Sequence, residues 1–484
     1  MKRLNLLLKP FVIASVGVLL VVSGCAIGPD FKKPENPYGE KWSDAPKTSQ
    51  LNASEPAETD SWWQNFNDPV LNELISQANQ QNLTLKIAGL RVLEAKAIRG
   101  VAVGNLFPQS QFVEGGYNRV NLSTETANRY PVEDFNNYNA GFDALWELDV
   151  WGRFRRGVEA ADASLYASIM TFHDVWVSMT SEIALAYFDL CAYDQRIELL
   201  RQNIEIQEGT LRLVKARYRH GATTELDVKQ SLAELHNVES ALPLLLTGRQ
   251  TAKNRLCVLL GAGPGELDDL LAHRGGIPVP PQSVAVGIPA QLLERRADIR
   301  QAMFSAKSQC ARIGVEKSDF LPHIFLFGSV GFEAQNAGDL FTSGAFTGMI
   351  GPSFRWNILN YGRIMNRVKA QDARFQQSLV NYRLTAIRAL NEVNSTMTAY
   401  INTQEQVTQL VESVSATRKS FKLATLQYEN GLIDFQRVLD SQSFLVRQQD
   451  NLASARRDVV QNLVRLYKAL GGGWEVQAKS AVLS

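Results

Sequence analysis

The chain has 484 residues, of which 45% are hydrophobic and 20% charged, and its formal net charge at pH 7 is +1. This composition is typical of a folded protein and excludes an intrinsically disordered one, and so small a net charge gives no electrostatic support for nucleic-acid binding. After the first 25 residues, no uninterrupted run of about 18 apolar residues predicts a transmembrane helix.

The N-terminus has the pattern of a secretory signal that ends at a lipidation site. A basic start precedes an apolar run that ends in VSGC at residues 22–25. A cysteine directly after Ser-Gly resembles the bacterial lipoprotein box, so we predict a signal peptide at 1–24 and a covalent lipid on Cys25 as the sole cofactor. Ala26 after it favours the outer membrane, by similarity to other lipoproteins. An ordinary signal peptide with an incidental cysteine is the alternative.

The other cysteines and the histidines give no sign of a disulfide framework or a metal site. Cys191, Cys257 and Cys310 each lie in a helical pattern, and an odd number of this kind is typical of small buried hydrophobic residues. The five histidines are not spaced as metal ligands are. We therefore expect no metal.

An internal duplication runs through the chain. Segment 146–164 aligns with 356–374, and the turn sequence at 217–228 aligns with that at 427–438, both at an offset of 210 residues. A repeat this long indicates one structural unit used twice. The expected organisation is a lipidated extended segment at 25–69, a first unit at 70–260, a Gly/Pro-rich connector at 261–289, a second unit at 290–471 and a tail at 472–484.

Each unit should contain a long helical hairpin. The apolar spacing of three, four and seven residues along 183–218 is typical of a coiled-coil seam. Residues 157–218 contain no proline, and a helix of that length would span roughly 93 Å. A second helix should return at 226–260, where Pro243 favours a break. The second unit should repeat the hairpin at 363–428 and 434–470.

Strands should precede each hairpin, near 108–150 and near 322–358. Apolar and polar side chains alternate along 138–150, and 346–358 repeats the pattern, while the Gly-rich strands before them are weaker. The alternation is typical of a membrane barrel strand and equally of a half-buried strand in a soluble sheet. Four strands cannot close a barrel that needs about eight, so the membrane interpretation requires a barrel shared between chains.

Several sequence pieces resemble the TolC-like outer-membrane factors, in the lipoprotein branch that serves tripartite (RND-type) efflux systems. They are GCAIGPDFKKP at 24–34, DSWWQNFNDPVLNELI at 60–75, ERRADIR at 294–300, the repeated Gly turn and LYKALGGGW at 466–474. The resemblance covers residues 24–475. It implies a mainly α protein with a β-barrel part: a homotrimer whose long coiled-coil helices form a periplasmic α-barrel, and whose four strands per chain complete one transmembrane β-barrel.

The resemblance also implies roles for the hairpin tips near 218–228 and 428–438. In this family the tips dock a periplasmic adaptor (membrane fusion) protein, and the helices just behind the second tip close the inner mouth of the tunnel. The tip turns would be at Gly221 and Gly431, although a glycine there also serves simply to end a helix.

The gate residues that the family pattern implies are only partly kept in this chain. Its two carboxylates behind the second tip map to Arg437 and Asp440, so a salt-bridged collar would replace two acidic rings, with Arg437 paired to Asp440 of the same or of a neighbouring chain. Its tyrosine–aspartate link between tips maps to Tyr428 and Asp227, and its cation maps to Ile433, which is uncharged. The alternatives are an ordinary first-turn acid at Asp227 and a solvated surface charge at Asp440.

The implied function is a passive duct in the outer membrane that exports drugs or other toxic small molecules, together with an adaptor and an inner-membrane pump. A duct for type I protein secretion is one alternative, and a lipid-anchored periplasmic adaptor or scaffold is another. Alternating strands that carry Trp146 and Trp356 argue against the adaptor, which has no use for lipid-facing aromatic residues. No nucleophile–base pair or nucleotide loop is present in the sequence, so we do not expect an enzyme.

Overall fold

The computed structural model describes residues 26–34, 51–52, 61–123, 125, 134–280, 284–286 and 295–474. Its helices are α1 (Pro69–Gln81), α2 (Leu83–Gly104), α3 (Arg153–Arg219), α4 (Glu225–Leu260), α5 (Asp268–Ala272), α6 (Ala297–Ser318), α7 (Arg363–Glu429) and α8 (Phe435–Ala469). Its strands are β1 (Leu51–Asn52), β2 (Ser110–Asn121), β3 (Asp134–Leu148), β4 (Val284–Ala285), β5 (His323–Ala334) and β6 (Phe346–Arg355). The chain divides into unit 1 (residues 1–34, 91–169 and 301–383) and unit 2 (residues 35–90, 170–300 and 384–484).

Two long helical hairpins are present, one in each half of the sequence, and both match the expected duplication. Helices α3 and α7 each have 67 residues, which corresponds to about 100 Å of helix. Helix α3 also contains an 18-residue window apolar enough to cross a membrane, but 72% of that window is buried inside the protein. Packing within the chain therefore accounts for the apolar character of this window.

The break expected at Pro243 does not occur. Helix α4 continues through this residue, and the Thr247 hydroxyl donates a hydrogen bond to the Pro243 carbonyl, at 2.9 Å. The carbonyl that loses its helical donor belongs to Glu239, four residues earlier, which is partly exposed, so water can satisfy it. The prediction of a break was wrong because it counted the helical hydrogen bond that proline removes, but not the hydrogen bond that water can offer to the freed carbonyl.

The four predicted strands form one antiparallel sheet in unit 1, in the order β2-β3-β5-β6. Val113, Phe142 and Val330 are register partners across three strands, and their side chains are 82%, 42% and 49% exposed. The next residue of β3, Asp143, is the register partner of Ser329. Because successive side chains of a strand point to opposite faces, these two polar residues lie on the other face of the sheet. The sheet therefore presents exposed apolar side chains on one face, and β2 and β6 are its two edges.

The duplicated tryptophans make the same hydrogen bond in both halves of the sheet. The indole N–H of Trp146 donates to the Leu106 carbonyl at 3.2 Å, and that of Trp356 donates to the Phe320 carbonyl at 3.0 Å. Leu106 and Phe320 occupy matching positions in NLFP and DFLP. Each indole therefore ties the end of one strand to the segment that leads into its neighbour.

The core of unit 2 brings together three of the sequence pieces that carry the family resemblance. Trp62 is fully buried and stacks on Tyr467, with 5.4 Å between ring centroids. The indole N–H of Trp474 donates to the Arg295 carbonyl at 2.8 Å. Gly472 has a φ of +63°, and a Cβ there would meet Val177 at 2.4 Å, so the Gly run allows the chain to turn against α3.

A buried histidine lies beside this core. The rings of His173 and Trp474 are 4.7 Å apart, and the Arg300 guanidinium lies over the Trp474 ring at 5.4 Å. Burial, and then the positive charge of Arg300, lower the pKa of His173 to about 4. His173 is therefore neutral in the folded protein across the physiological range.

We predict that lowering the pH reduces the stability of unit 2, because folding disfavours protonation of His173. In the unfolded chain this histidine takes up a proton near pH 6.5, whereas in the folded chain it does so only near pH 4, so the stabilisation is complete above pH 6.5 and is lost as the pH falls towards 4. The loss should be about 2–3 kcal/mol per chain. His173→Phe should flatten the pH dependence of the melting temperature between these values.

The matched control for this prediction is His236→Phe, because His236 is exposed and hydrogen-bonded to Glu239 on its own helix. This variant should melt with the same pH dependence as the wild type. A His173→Phe protein that still loses stability between pH 6.5 and 4 would assign the acid sensitivity to other groups.

Candidate functional site at the paired helix tips

The two hairpins end in the same turn. Gly221 and Gly431 have φ values of +71° and +74°, a conformation that favours glycine. The N–H of Ala222 donates to the Arg217 carbonyl at 2.8 Å, and the N–H of Leu432 donates to the Gln427 carbonyl at 2.9 Å. These bonds close the last turn of each long helix in the same way, so both glycines are structurally required where they stand.

The helices that leave the two turns are capped differently. Thr224 and Asp227 form a reciprocal capping box at the start of α4, whereas Asp434 alone caps α8 by accepting from the Arg437 N–H at 3.3 Å. Asp227 and Arg437 are 210 residues apart, at equivalent positions of the repeat. Asp227 therefore lies in the first turn of α4, where the helix dipole favours an acidic side chain. An ordinary first-turn acid was the alternative to a gate residue at this position.

Tyr428 is buried between the two tips of one chain. It is only 4% exposed and packs in a cluster with Val214, Phe435 and Val438. Ile433, where the family pattern has a cation, packs against the same cluster. The second tip therefore has an apolar contact at that position.

The expected link between Tyr428 and Asp227 is indirect. The Tyr428 hydroxyl donates to the Thr223 hydroxyl at 3.4 Å, and the Thr223 hydroxyl donates in turn to the Asp227 carboxylate. Thr223 was not singled out in the sequence, because a threonine in a turn is common and carries no specific signal. The chain Tyr428–Thr223–Asp227 nevertheless joins the two tips.

Arg217 makes the most extensive contact between the tips, and the sequence interpretation missed it. Its Nη1 donates to the carbonyls of Tyr428 and Glu429, both at 2.9 Å. Its guanidinium lies over the Tyr428 ring at 4.7 Å. The two carbonyls belong to the last turn of α7, where helical carbonyls lack partners and a positive charge is favourable. The sequence signal available for Arg217 was that its equivalent in the repeat, Gln427, is not an arginine.

Arg437 and Asp440 do not form the expected pair within one chain. Both are exposed, and the Asp440 carboxylate accepts a hydrogen bond from the Gln436 side chain at 2.8 Å. No ion pair of Arg437 occurs among the residues that the structure describes. The one-turn spacing was compatible with a pair, but Gln436, one turn before Asp440, offers a donor on the same helix. Within the described part of one chain, therefore, Arg437 and Asp440 are not paired, and a collar formed between chains stays a prediction.

The lipidation site, Cys25, lies outside the described residues, but the segment that follows it is firmly held in unit 1. Arg156 donates to the Ile27 carbonyl at 3.2 Å and to the Asp30 carboxylate at 2.7 Å. A Cβ on Gly314 would come within 2.5 Å of the Ile27 carbonyl, so this close approach requires glycine. The chain directly after Cys25 is thus fixed near the start of α3.

No group of three or more His, Cys, Asp and Glu side chains that could hold a metal ion occurs in the described part of the chain. The three cysteines in that part are free and buried. Burial raises the pKa of the Cys191 thiol to about 12, which keeps it protonated and unreactive.

The sequence and structure match those of known bacterial proteins over nearly their full length. Nodulation protein T of Rhizobium leguminosarum bv. viciae is 28% identical over 470 residues, which cover 96% of this chain and 94% of that protein. The toluene efflux pump outer membrane protein TtgF of Pseudomonas putida is 28% identical over 474 residues, covering 95% of this chain and 96% of that protein. The structure of the outer-membrane channel OprN matches with a TM-score of 0.85 and 29% identity, covering 93% of this chain and 100% of that one.

Duplicated helical hairpins together with a four-stranded sheet, and this likeness to OprN, define an outer-membrane channel protein. The sequence model of the outer membrane efflux protein family matches residues 74–262 and 288–472. The chain belongs to the outer membrane efflux protein family. The resemblance, the fold class and the outer-membrane location expected from the sequence are thereby confirmed, and the protein works in efflux with other pump components.

Proposed function

We propose that three copies of this chain form a passive duct that exports toxic small molecules through the outer membrane. The observation that carries the proposal is the sheet of unit 1, which has an exposed apolar face and two open edges. Every backbone polar group inside a bilayer needs a partner within the protein. Strands from neighbouring copies would supply these partners, and the apolar face would contact lipid.

The helical hairpins would continue the duct into the periplasm. In a trimer, the two tips of each chain would line the inner mouth, where Gly221 and Gly431 form the turns and an adaptor protein docks. The adaptor would connect the duct to an inner-membrane pump, which supplies the energy. The duct itself would need no catalytic group, and the relatives above are named for nodulation, for efflux and as a channel.

Small-molecule efflux is favoured over protein secretion by what the relatives are named for. TtgF is named for toluene efflux, and OpmQ of Pseudomonas putida, 28% identical over 424 residues, is named for pyoverdine export. Both names refer to small molecules. These names support a small-molecule cargo here.

We predict that Cys25→Ala abolishes lipid attachment. The reason is the VSGC box behind an apolar segment, in which the cysteine sulfur is the acceptor. Labelled palmitate should be incorporated into the wild type and absent from the variant. Oligomers should survive, because the strands supply most of the membrane affinity. Palmitate on the variant would rule Cys25 out, and Cys191→Ala, which removes a buried thiol, is the control that should remain labelled.

We predict that Asp440 helps to set the ion preference of the closed mouth. Three copies of Asp440 around one axis would attract cations and repel anions. The wild type in planar bilayers should form gated, cation-preferring channels, which is also the test of the proposed function. Asp440→Ala should raise the single-channel conductance and reduce the cation preference.

Glu412→Ala is the matched control, because it removes an exposed carboxylate from α7, away from the tip. It should leave conductance and selectivity unchanged. If Asp440→Ala and Glu412→Ala both match the wild type, Asp440 is a surface charge and the constriction lies elsewhere. A wild type that forms no channels would instead count against the duct itself.

A further inference from the structure

The two hairpins of the sheet are copies of one unit, so the junction between them inside the chain shows how the free edges can pair. Strands β2 and β3 form the first hairpin, and β5 and β6 form the second. Strand β3, the second strand of one hairpin, pairs with β5, the first strand of the next. The edges left over are β2, a first strand, and β6, a second strand. The β6 edge of one copy and the β2 edge of another can therefore repeat the β3–β5 junction.

We propose that β6 of one copy pairs with β2 of a neighbouring copy in one register, in which Arg355 lies opposite Glu114. This inference rests on the proposed trimeric duct, and it assigns the residues that join its chains. A head-to-tail contact of this kind repeats from chain to chain and can close into a ring, whereas pairing of two like edges ends at two chains. The partner at each edge is thus a second copy of this chain.

The equivalent positions of the two hairpins follow from their registers. Asp143 is opposite Phe112 in the first hairpin. Ser353, which is equivalent to Asp143 at the offset of 210 residues, is opposite Phe325 in the second hairpin. Phe325 is therefore the equivalent of Phe112, and the residues of β5 follow those of β2 at an offset of 213 residues.

One additional residue in the first repeat separates this offset from that of the segments before the strands. Leu106 and Phe320 match at an offset of 214 residues, so the first repeat has one residue more ahead of the regular ladder. The Gln109 side chain lies there, accepting from the Glu147 N–H at 2.7 Å and donating to the Glu147 carbonyl at 3.2 Å. The irregularity thus lies before β2, and the pairing of β2 with β3 is continuous.

The same equivalence identifies the residues that meet between chains. Inside the chain, Leu145 is opposite Phe327. At the offsets of 210 and 213 residues, the equivalents of these two are Arg355 in β6 and Glu114 in β2. An apolar pair within the chain thus corresponds to an oppositely charged pair between chains. Opposite charges directly across a ladder stabilise it and like charges destabilise it, so this pair favours one register and one partner.

Both charged side chains are available for a neighbour. Glu114 and Arg355 are exposed, and neither forms an ion pair with another residue that the structure describes. Because side chains alternate along a strand, the registers place both on the face of Asp143 and Ser329, away from the exposed apolar row. The Arg355 guanidinium lies over the Phe325 ring at 5.6 Å. In the closed sheet this polar face lines the lumen, and the pair joins two chains there.

The temperature at which SDS-resistant trimers separate tests the charge pair. Arg355→Glu and Glu114→Arg should each lower this temperature, because each change places like charges opposite each other at every junction. Combining the two changes restores opposite charges and should bring the temperature back towards that of the wild type. Arg355→Glu combined with Asn118→Lys is the control: the lysine lies on the same face of β2, four residues away, and should not restore the trimer.

Disulfide cross-linking tests the register with both charges in place. The register puts Met349 opposite Val120 of the neighbour, as Asn139 is opposite Glu333 inside the chain. Met349→Cys with Val120→Cys should give disulfide-linked oligomers under a mild oxidant, and neither change alone should do so. Met349→Cys with Asn118→Cys is the control, because this diagonal pair would be about 7–8 Å apart, too far for a disulfide.

The outcomes separate the register from the duct itself. If trimers form but the cysteine at 118 cross-links as well as the cysteine at 120, the proposed register is wrong and the duct stands. The same conclusion follows if the double charge exchange separates at as low a temperature as the single changes. A disulfide to a different protein would mean that the edges have another partner, which also rejects the inference. A wild type without SDS-resistant trimers would reject the proposed duct instead.

Discussion

The open edges of the four-stranded sheet are the constraint on which the rest of the molecule depends. Within the described part of the chain, strands β2 and β6 each have one side without a partner strand, and in a bilayer every unpaired backbone group costs several kcal/mol. The exposed row of Val113, Phe142 and Val330 is compatible with lipid and unfavourable in water. The proposed closed sheet, shared between several copies, would give both edges their partners.

The duplication places the same glycine turn at two tips with different surroundings. The backbone hydrogen bonds of the turn are the same in both copies, but Tyr428 is buried beside Arg217, whereas Tyr218 is exposed. One backbone pattern therefore serves two different environments in the same chain.

Much of the fold was predictable because it depends on periodicity. The coiled-coil spacing predicted α3 and α7, and glycine predicted the positive φ at 221 and 431. The alternating pattern predicted β3 and β6, whereas β2 and β5 had only a weaker, Gly-rich signal. The tip contacts were not predictable, because they depend on distances between residues about 210 positions apart. Arg217 had no sequence signal beyond its mismatch with Gln427. Arg437 had the spacing to pair with Asp440, but in one chain the Asp440 carboxylate accepts from Gln436 instead.

Native mass spectrometry of the protein extracted from outer membranes tests the central claim most directly. Because the four strands of one chain cannot satisfy their own edges, the account predicts a single species of three chains that remains associated in mild detergent and separates only on heating. Three chains with four strands each would give a closed sheet of twelve. A stable monomer in the membrane fraction, with its strands folded, would contradict the account.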